Sequence, residues 1–154
     1  MTKHRGRSIA LGVAGVVAMA AIVRVSHGLL KNAIAAFIVD QWPKIMRGDF
    51  QPRIVFIVSF NVLLDALTAL PGAVAAVIVA RLVLGRRVLP FAVMSALLLG
   101  LFDKRFHHVV RNPYNEQYLA LLLSAIVAPT VLVVVSYCAD ILRSQKHFKE
   151  QEGA

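Results

Sequence analysis

The feature that most constrains this chain is a set of long apolar runs. The clearest covers residues 117–139 and is bracketed by Tyr118 and Tyr137. At about 1.5 Å of rise per helical residue, the two tyrosines stand about as far apart as the roughly 30 Å hydrocarbon core of a bilayer is thick. Because aromatic rings favour the membrane interface, the run predicts a membrane-spanning helix with these tyrosines as interfacial anchors.

The composition extends this prediction to the whole chain. Hydrophobic residues make up 58% of the 154 residues and charged residues 16%, so a soluble fold of this size would leave much apolar surface in water. We therefore expect an all-α integral membrane protein, with residues 1–154 forming a single helical domain.

The net charge of +9 does not point to nucleic acid. The basic residues stand in small groups at the ends of apolar runs, as interfacial residues do where they meet anionic lipid headgroups, instead of marking one continuous basic face. The bilayer and its anionic headgroups are thus expected partners, and nucleic acid is not.

The first apolar run begins near Ile9. Gly12, Gly15 and Ala18 give it small-residue faces, which predict close helix packing. Further along, polar residues recur at helical spacing, and the segment 24–42 is predicted to be an amphipathic helix in the interface plane that ends near the interfacial anchor Trp42. The polar stripe consists of Arg24, His27 and Lys31.

The number of spans depends on Pro71-Gly72. If these residues lie within one kinked helix, the chain has four spans, near 9–30, 54–80, 88–102 and 117–139, plus the interfacial helix. If they form a turn, and another turn lies near 24–28, the chain has six spans, several of them below the ~17 residues usually needed. The distribution of Lys and Arg favours six spans and the lengths favour four; we adopt four.

Both topologies place the two termini on the same side of the membrane. The positive-inside rule makes this the cytoplasmic side, and the composition suits the inner membrane of a bacterium.

Three polar residues fall within the apolar run that begins at residue 54. Asn61, Asp65 and Thr68 are spaced i, i+4, i+7 and share one helical face. An ionisable side chain at this depth requires a partner, water or a bound ion, so the group is either a transport or proton-relay site or a polar contact that fixes helix packing. Arg81 is the expected partner of Asp65 if Pro71-Gly72 forms a turn.

No pattern indicates catalysis, a metal site or a cofactor. The serines lack a Gly-x-Ser-x-Gly context, and His107 and His108 are adjacent, so they point about 100° apart on a helix and cannot face one site. We therefore expect a non-enzymatic accessory or structural subunit that binds other membrane protein subunits in a larger complex. The alternative is a small transporter, channel or proton-conducting component that uses the Asp65 and Asn61 site.

Overall fold

The computed structural model describes residues 2–45, 54–85, 87–111 and 118–152. These residues form five helices and no strand. The helices are α1 (Thr2–Ile45), α2 (Ile54–Leu84), α3 (Leu89–Leu101), α4 (Lys104–Arg111) and α5 (Tyr118–Glu152).

Three of these helices contain segments that are long and apolar enough to cross a membrane, namely Ile9–Ala36 in α1, Val58–Leu84 in α2 and Leu121–Gln145 in α5. The prediction of an all-helical fold is confirmed for the described residues, and the three segments are compatible with an integral membrane protein. Helix α3 is also apolar, but its 13 residues extend only about 20 Å, which is less than the hydrocarbon core.

Helix α1 differs from its prediction. It continues without a break through the segment 24–42, so the polar stripe there belongs to the same helix as the first span instead of starting a separate interfacial helix. The physical reason is that Asp65 and Thr68 on α2 and the carbonyl of Phe102 provide partners for the stripe within the bundle.

Helix α2 likewise runs uninterrupted through Pro71-Gly72. Both turns that the six-span topology requires are therefore absent from α1 and α2, and that alternative is wrong. A proline within a membrane helix is tolerated because neighbouring groups satisfy the backbone that it frees.

The helices form a ring in the order α1, α2, α5, α3, in which each packs against the next and α3 packs back against α1. Helices α1 and α2 are antiparallel, since Lys31 contacts Asp65 near one end and Gly15 lies beside Leu84 near the other. The start of α3 meets the later part of α5 through Asp140, so both chain-terminal helices have their outer ends at the same end of the bundle.

Small side chains line the centre of the bundle. On α2 the buried residues Ala69, Ala73, Ala76 and Ala80 recur at helical spacing, and they pack with Met19, Val23 and Leu132 in one core. Small residues allow membrane helices to approach closely, and dispersion contacts then replace the hydrophobic driving force that lipid does not supply.

Helices α1 and α2 approach each other closely at Gly72. A Cβ added there would lie 3.2 Å from the Cα of Val23 and closer still to the hydroxyl of Ser26. Gly72 is therefore a packing residue for α1, and this requirement explains a glycine in the middle of an unbroken helix.

Replacing Gly72 with Ala should destabilise the protein by about 1–3 kcal/mol, because the backbone of α1 has to move to accept the methyl group. The measurement is reversible unfolding in detergent. Gly100→Ala is the matched control, since nothing lies within 4 Å of a Cβ at that glycine. Equal stability of the two variants would contradict the close α1–α2 contact.

Candidate functional site

The Asp65 cluster, which we define as Asp65 with Lys31, Arg105 and Ser124, joins four helices. The Asp65 carboxylate on α2 is fully buried. Lys31 of α1 donates to its Oδ1, while Arg105 of α4 donates to Oδ2 from Nη1 at 3.0 Å. Ser124 of α5 donates to the same Oδ2 at 2.6 Å. Both carboxylate oxygens are thus occupied by donors from other helices.

His27 and Thr68 extend this cluster by one helical turn. The Oγ1 of Thr68 and the Nδ1 of His27 share a hydrogen bond of 2.9 Å, and His27 Nε2 lies 3.6 Å from Asp65 Oδ1. Thr68 also donates to the carbonyl of Leu64 in its own helix. His27 therefore stands beside the carboxylate without replacing any of its donors.

Asp103 supplies the second negative charge. It holds Arg105 through Nη2–Oδ2 and Nε–Oδ1 contacts of 3.0 and 3.2 Å, so the guanidinium bridges two carboxylates. Burial works to raise the pKa of Asp103, but hydrogen bonds from the side chain and backbone of Arg105 outweigh it and the pKa is lowered. Asp103 consequently remains ionised and keeps Arg105 in place.

The Asp65 cluster lies well inside the span. Asp65 follows the start of the apolar segment Val58–Leu84 by seven positions, which places it about 10 Å from that end. Removing charges from water is costly, and only well-formed pairs with additional hydrogen bonds offset the cost. The three donors to Asp65 meet that requirement, which makes the cluster a structural connection between helices.

A cavity of about 340 Å³ adjoins this cluster. We call it the cationic cavity. Its polar lining consists of Arg24, His27, Lys31, Asp103 and Arg105, and its apolar walls include Val23, Leu99 and Ala128.

Arg24 differs from the other cations of the cavity. Its Nη1 donates to the carbonyl of Phe102 at 2.9 Å, and no carboxylate of the described residues forms an ion pair with it. Lys31 and Arg105, by contrast, are both engaged with Asp65. Arg24 interacts with the charge of Asp103 only beyond ion-pair distance, so most of its N–H donors are available to an anion.

A second group of charges lies at the other end of the bundle. The Asp140 cluster consists of Asp140, Arg81 and the first backbone amides of α3. Asp140 accepts hydrogen bonds from the amides of Val88 and Leu89, each at 3.1 Å, and Arg81 approaches its Oδ1 at 3.4 Å. Gly85 makes the preceding turn with a φ of +60°, a conformation that favours glycine. Asp140 therefore caps α3 from a different helix.

The four residues of the predicted polar site do not all lie together in the structure. Asp65 and Thr68 lie together, but Arg81 binds the Ala139 carbonyl and Asp140 instead of Asp65. The reason is that α2 has no turn, so 16 positions, or about 24 Å, separate the two residues along it. Asn61 lies one turn beyond Asp65 on the same face and is exposed.

The predicted packing and anchor residues also differ in where they lie. Cβ atoms added to Gly12 and Gly15 would lie 3.3 Å from Phe91 and 3.1 Å from Leu84, so these glycines pack inside the bundle, whereas Ala18 is exposed. Tyr137 is exposed, while the side chains of Trp42 and Tyr118 lie outside the described residues.

Sequence reasoning missed the true partners of Asp65. The sequence spacing does contain a signal for these partners. His27 and Lys31 are one turn apart on one helix, and Asp65 and Thr68 are one turn apart on another, so the two pairs can face each other when the helices are antiparallel. The stripe was assigned to headgroups instead. Arg105 and Ser124 carried no comparable signal.

No family model, curated protein or solved structure matches the chain. The function proposed below therefore rests on the side chains of this protein and their surroundings.

Replacing Asp65 with Asn should destabilise the protein strongly, by up to about 3–5 kcal/mol, because Lys31 and Arg105 lose their shared counter-charge. Unfolding in detergent measures the effect. Asn61→Ala is the control, since Asn61 is exposed one turn away on the same helix and should change stability by less than about 0.5 kcal/mol. A variant at Asp65 as stable as this control would show that the helices do not depend on the cluster.

Replacing Asp140 with Ala should release the start of α3, with a loss of about 0.5–2 kcal/mol that is typical of a lost helix cap. Hydrogen exchange at the amides of Val88 and Leu89 should accelerate selectively. Asp140→Asn retains one carbonyl oxygen as an acceptor and should show a smaller effect. Unchanged exchange in the Ala variant would disprove the capping role.

Proposed function

We propose that this protein is an accessory or structural subunit that binds other membrane protein subunits in a larger complex. The observation that carries the proposal is the saturation of Asp65. A carboxylate held by Lys31, Arg105 and Ser124 is suited to fixing helix positions, and it is poorly suited to accepting and releasing an ion or proton.

The surface of α1 supports a binding role. Of the three candidate spans, that of α1 is the least covered, with 17% of its most apolar window buried inside the bundle, compared with 39% for α2. Its exposed side includes Ala14, Ala18 and Val25, which share one face by their spacing. We call this the Ala18 face. Small side chains there would let a helix of a partner subunit approach closely.

We place the protein in the inner membrane of a bacterium with both termini in the cytoplasm. The arrangement of the bundle supports the shared side, because α1 begins, α3 begins and α5 ends at the same end. Arg81, Arg87 and Arg143 lie at that end, whereas Lys31 and Arg105 at the other end are engaged with Asp65. The positive-inside rule assigns such an end to the cytoplasm. In this orientation α3 supplies the fourth apolar segment without reaching the opposite surface.

A transport or proton-conducting role is the second candidate. One observation favours it: Asn61 is exposed on the same face of α2 as Asp65 and lies between the carboxylate and the nearer end of the span. The donors already bound to Asp65 weigh against this role.

The accessory role predicts site-specific crosslinking in cells. A photoreactive residue at position 18 should give a crosslink to a single partner protein, because a helix packed on the Ala18 face would lie in van der Waals contact. The same residue at Ala75, an exposed alanine of α2, is the matched control and should give much less of this product. Mass spectrometry of the product identifies the partner.

Two results would contradict the accessory role. One is equal crosslinking from positions 18 and 75, which would indicate random collisions in the membrane. The other is proton flux into liposomes that contain only this protein, abolished by Asp65→Asn; that result would favour the second candidate instead.

A further inference from the structure

The short length of α3 leaves space in the bundle. Helix α3 packs along α1 from Phe91, beside Gly12, to Phe102, whose carbonyl binds Arg24. Beyond this point the chain turns into α4, and α1 continues past Arg24 without α3 as its neighbour. The cationic cavity lies at this position, bounded by α1, the end of α3, the start of α4 and α5.

The charges around the cavity are unequal. With His27 neutral, Arg24, Lys31 and Arg105 provide three positive charges, and Asp65 and Asp103 provide two negative ones. Among the described residues, Arg24 is the one of these cations without a carboxylate within ion-pair distance, and it lies inside the apolar segment Ile9–Ala36. An arginine at such depth is costly unless an anion or a polar group compensates it, and one backbone carbonyl leaves most of its donors available.

An apolar groove continues from this cavity. It has a volume of about 460 Å³ and runs between α1 and α3. Arg24 and Leu99 line both spaces, so the two adjoin at these residues. The remaining lining of the groove is apolar: Val17, Ala20, Ala21, Leu98 and Phe102. We refer to it as the α1–α3 groove.

The order of the two spaces along α1 matches the order of groups in a lipid. The cavity lies toward the end of the span that contains the Asp65 cluster, and the groove extends from Arg24 back to Val17, about 10 Å toward the opposite end. A lipid of the leaflet on the Asp65 side likewise has its anionic group outward and its acyl chains inward.

We propose that the cationic cavity and the α1–α3 groove together bind one anionic phospholipid, with its phosphate at Arg24 and an acyl chain in the groove. The guanidinium forms charge-assisted hydrogen bonds to phosphate oxygens, and Lys31 and Arg105 add positive potential around them. The apolar groove distinguishes a lipid from free phosphate, which would occupy the cavity alone. This site borders the Ala18 face, since Ala21 is one helical turn from Ala18, but it contains none of the residues of that face and does not depend on a partner subunit.

Lipid binding can be measured on the purified full-length protein in uncharged detergent by native mass spectrometry. Phosphatidylglycerol is titrated against phosphatidylcholine with the same acyl chains, and inorganic phosphate is added as a competitor. We expect one bound phosphatidylglycerol, with an affinity about tenfold or more above that of phosphatidylcholine, because only the former carries a net negative charge. Millimolar phosphate should not displace it.

Two pairs of variants locate the site. Arg24→Gln should remove the preference for phosphatidylglycerol, whereas Arg143→Gln, which removes the same charge from an exposed position on α5, should preserve it. Ala21→Phe should fill the groove and weaken phosphatidylglycerol binding, whereas Ala75→Phe, at an exposed position of α2 that does not line the groove, should not.

The proposal is overturned if the two lipids bind equally well to the unmodified protein, or if Arg24→Gln and Arg143→Gln have the same effect. It is also overturned if phosphate displaces the lipid while Ala21→Phe has no effect, because the ligand would then be a free anion. Should Arg24→Gln fail to fold, the preference of the unmodified protein and the two alanine variants still decide the outcome. A failure of lipid binding would leave the crosslinking result at position 18 unaffected.

Discussion

The burial of one carboxylate within the membrane is the constraint on which the rest of this structure depends. Lipid cannot solvate the charge of Asp65, so its oxygens must receive donors from the protein itself. Lys31, Arg105 and Ser124 supply them from three other helices. For that to happen, α1 has to continue past Arg24 and α4 has to turn into the bundle, and both features are present.

The two ends of the bundle therefore have different character. At the end with the Asp140 cluster the helices are close together, and Asp140 and Arg81 connect α5, α2 and the start of α3. At the end with the Asp65 cluster α3 is missing from the ring, and its position is occupied in part by α4 and in part by the cationic cavity. The short length of α3 thus determines which end of the bundle is packed and which end has space for a ligand.

The Ala18 face and the α1–α3 groove are adjoining surfaces of α1, and both are accessible for the same physical reason. Helix α1 is a neighbour of α2 on one side and of α3 on another, and much of its remaining surface is exposed. The Ala18 face has small apolar side chains and suits another helix, while the face toward the α1–α3 groove ends at Arg24 and suits an anionic amphiphile. The Asp65 cluster holds α1 in the position that both surfaces require.

The amino-acid sequence by itself determined the class of this protein, since runs such as 117–139 leave a helical membrane protein as the reasonable outcome. It also identified Asp65 and Thr68 as neighbours on one face, because helical periodicity is a local property. It did not determine the pairing of Asp65 with Lys31, or of Arg81 with Asp140, because such contacts depend on which helices are neighbours and how far each one extends. The role of Gly72 followed the same rule: next to Pro71 it allowed either a turn or a kinked helix, and only the proximity of Val23 in the tertiary structure shows that it allows two helices to touch.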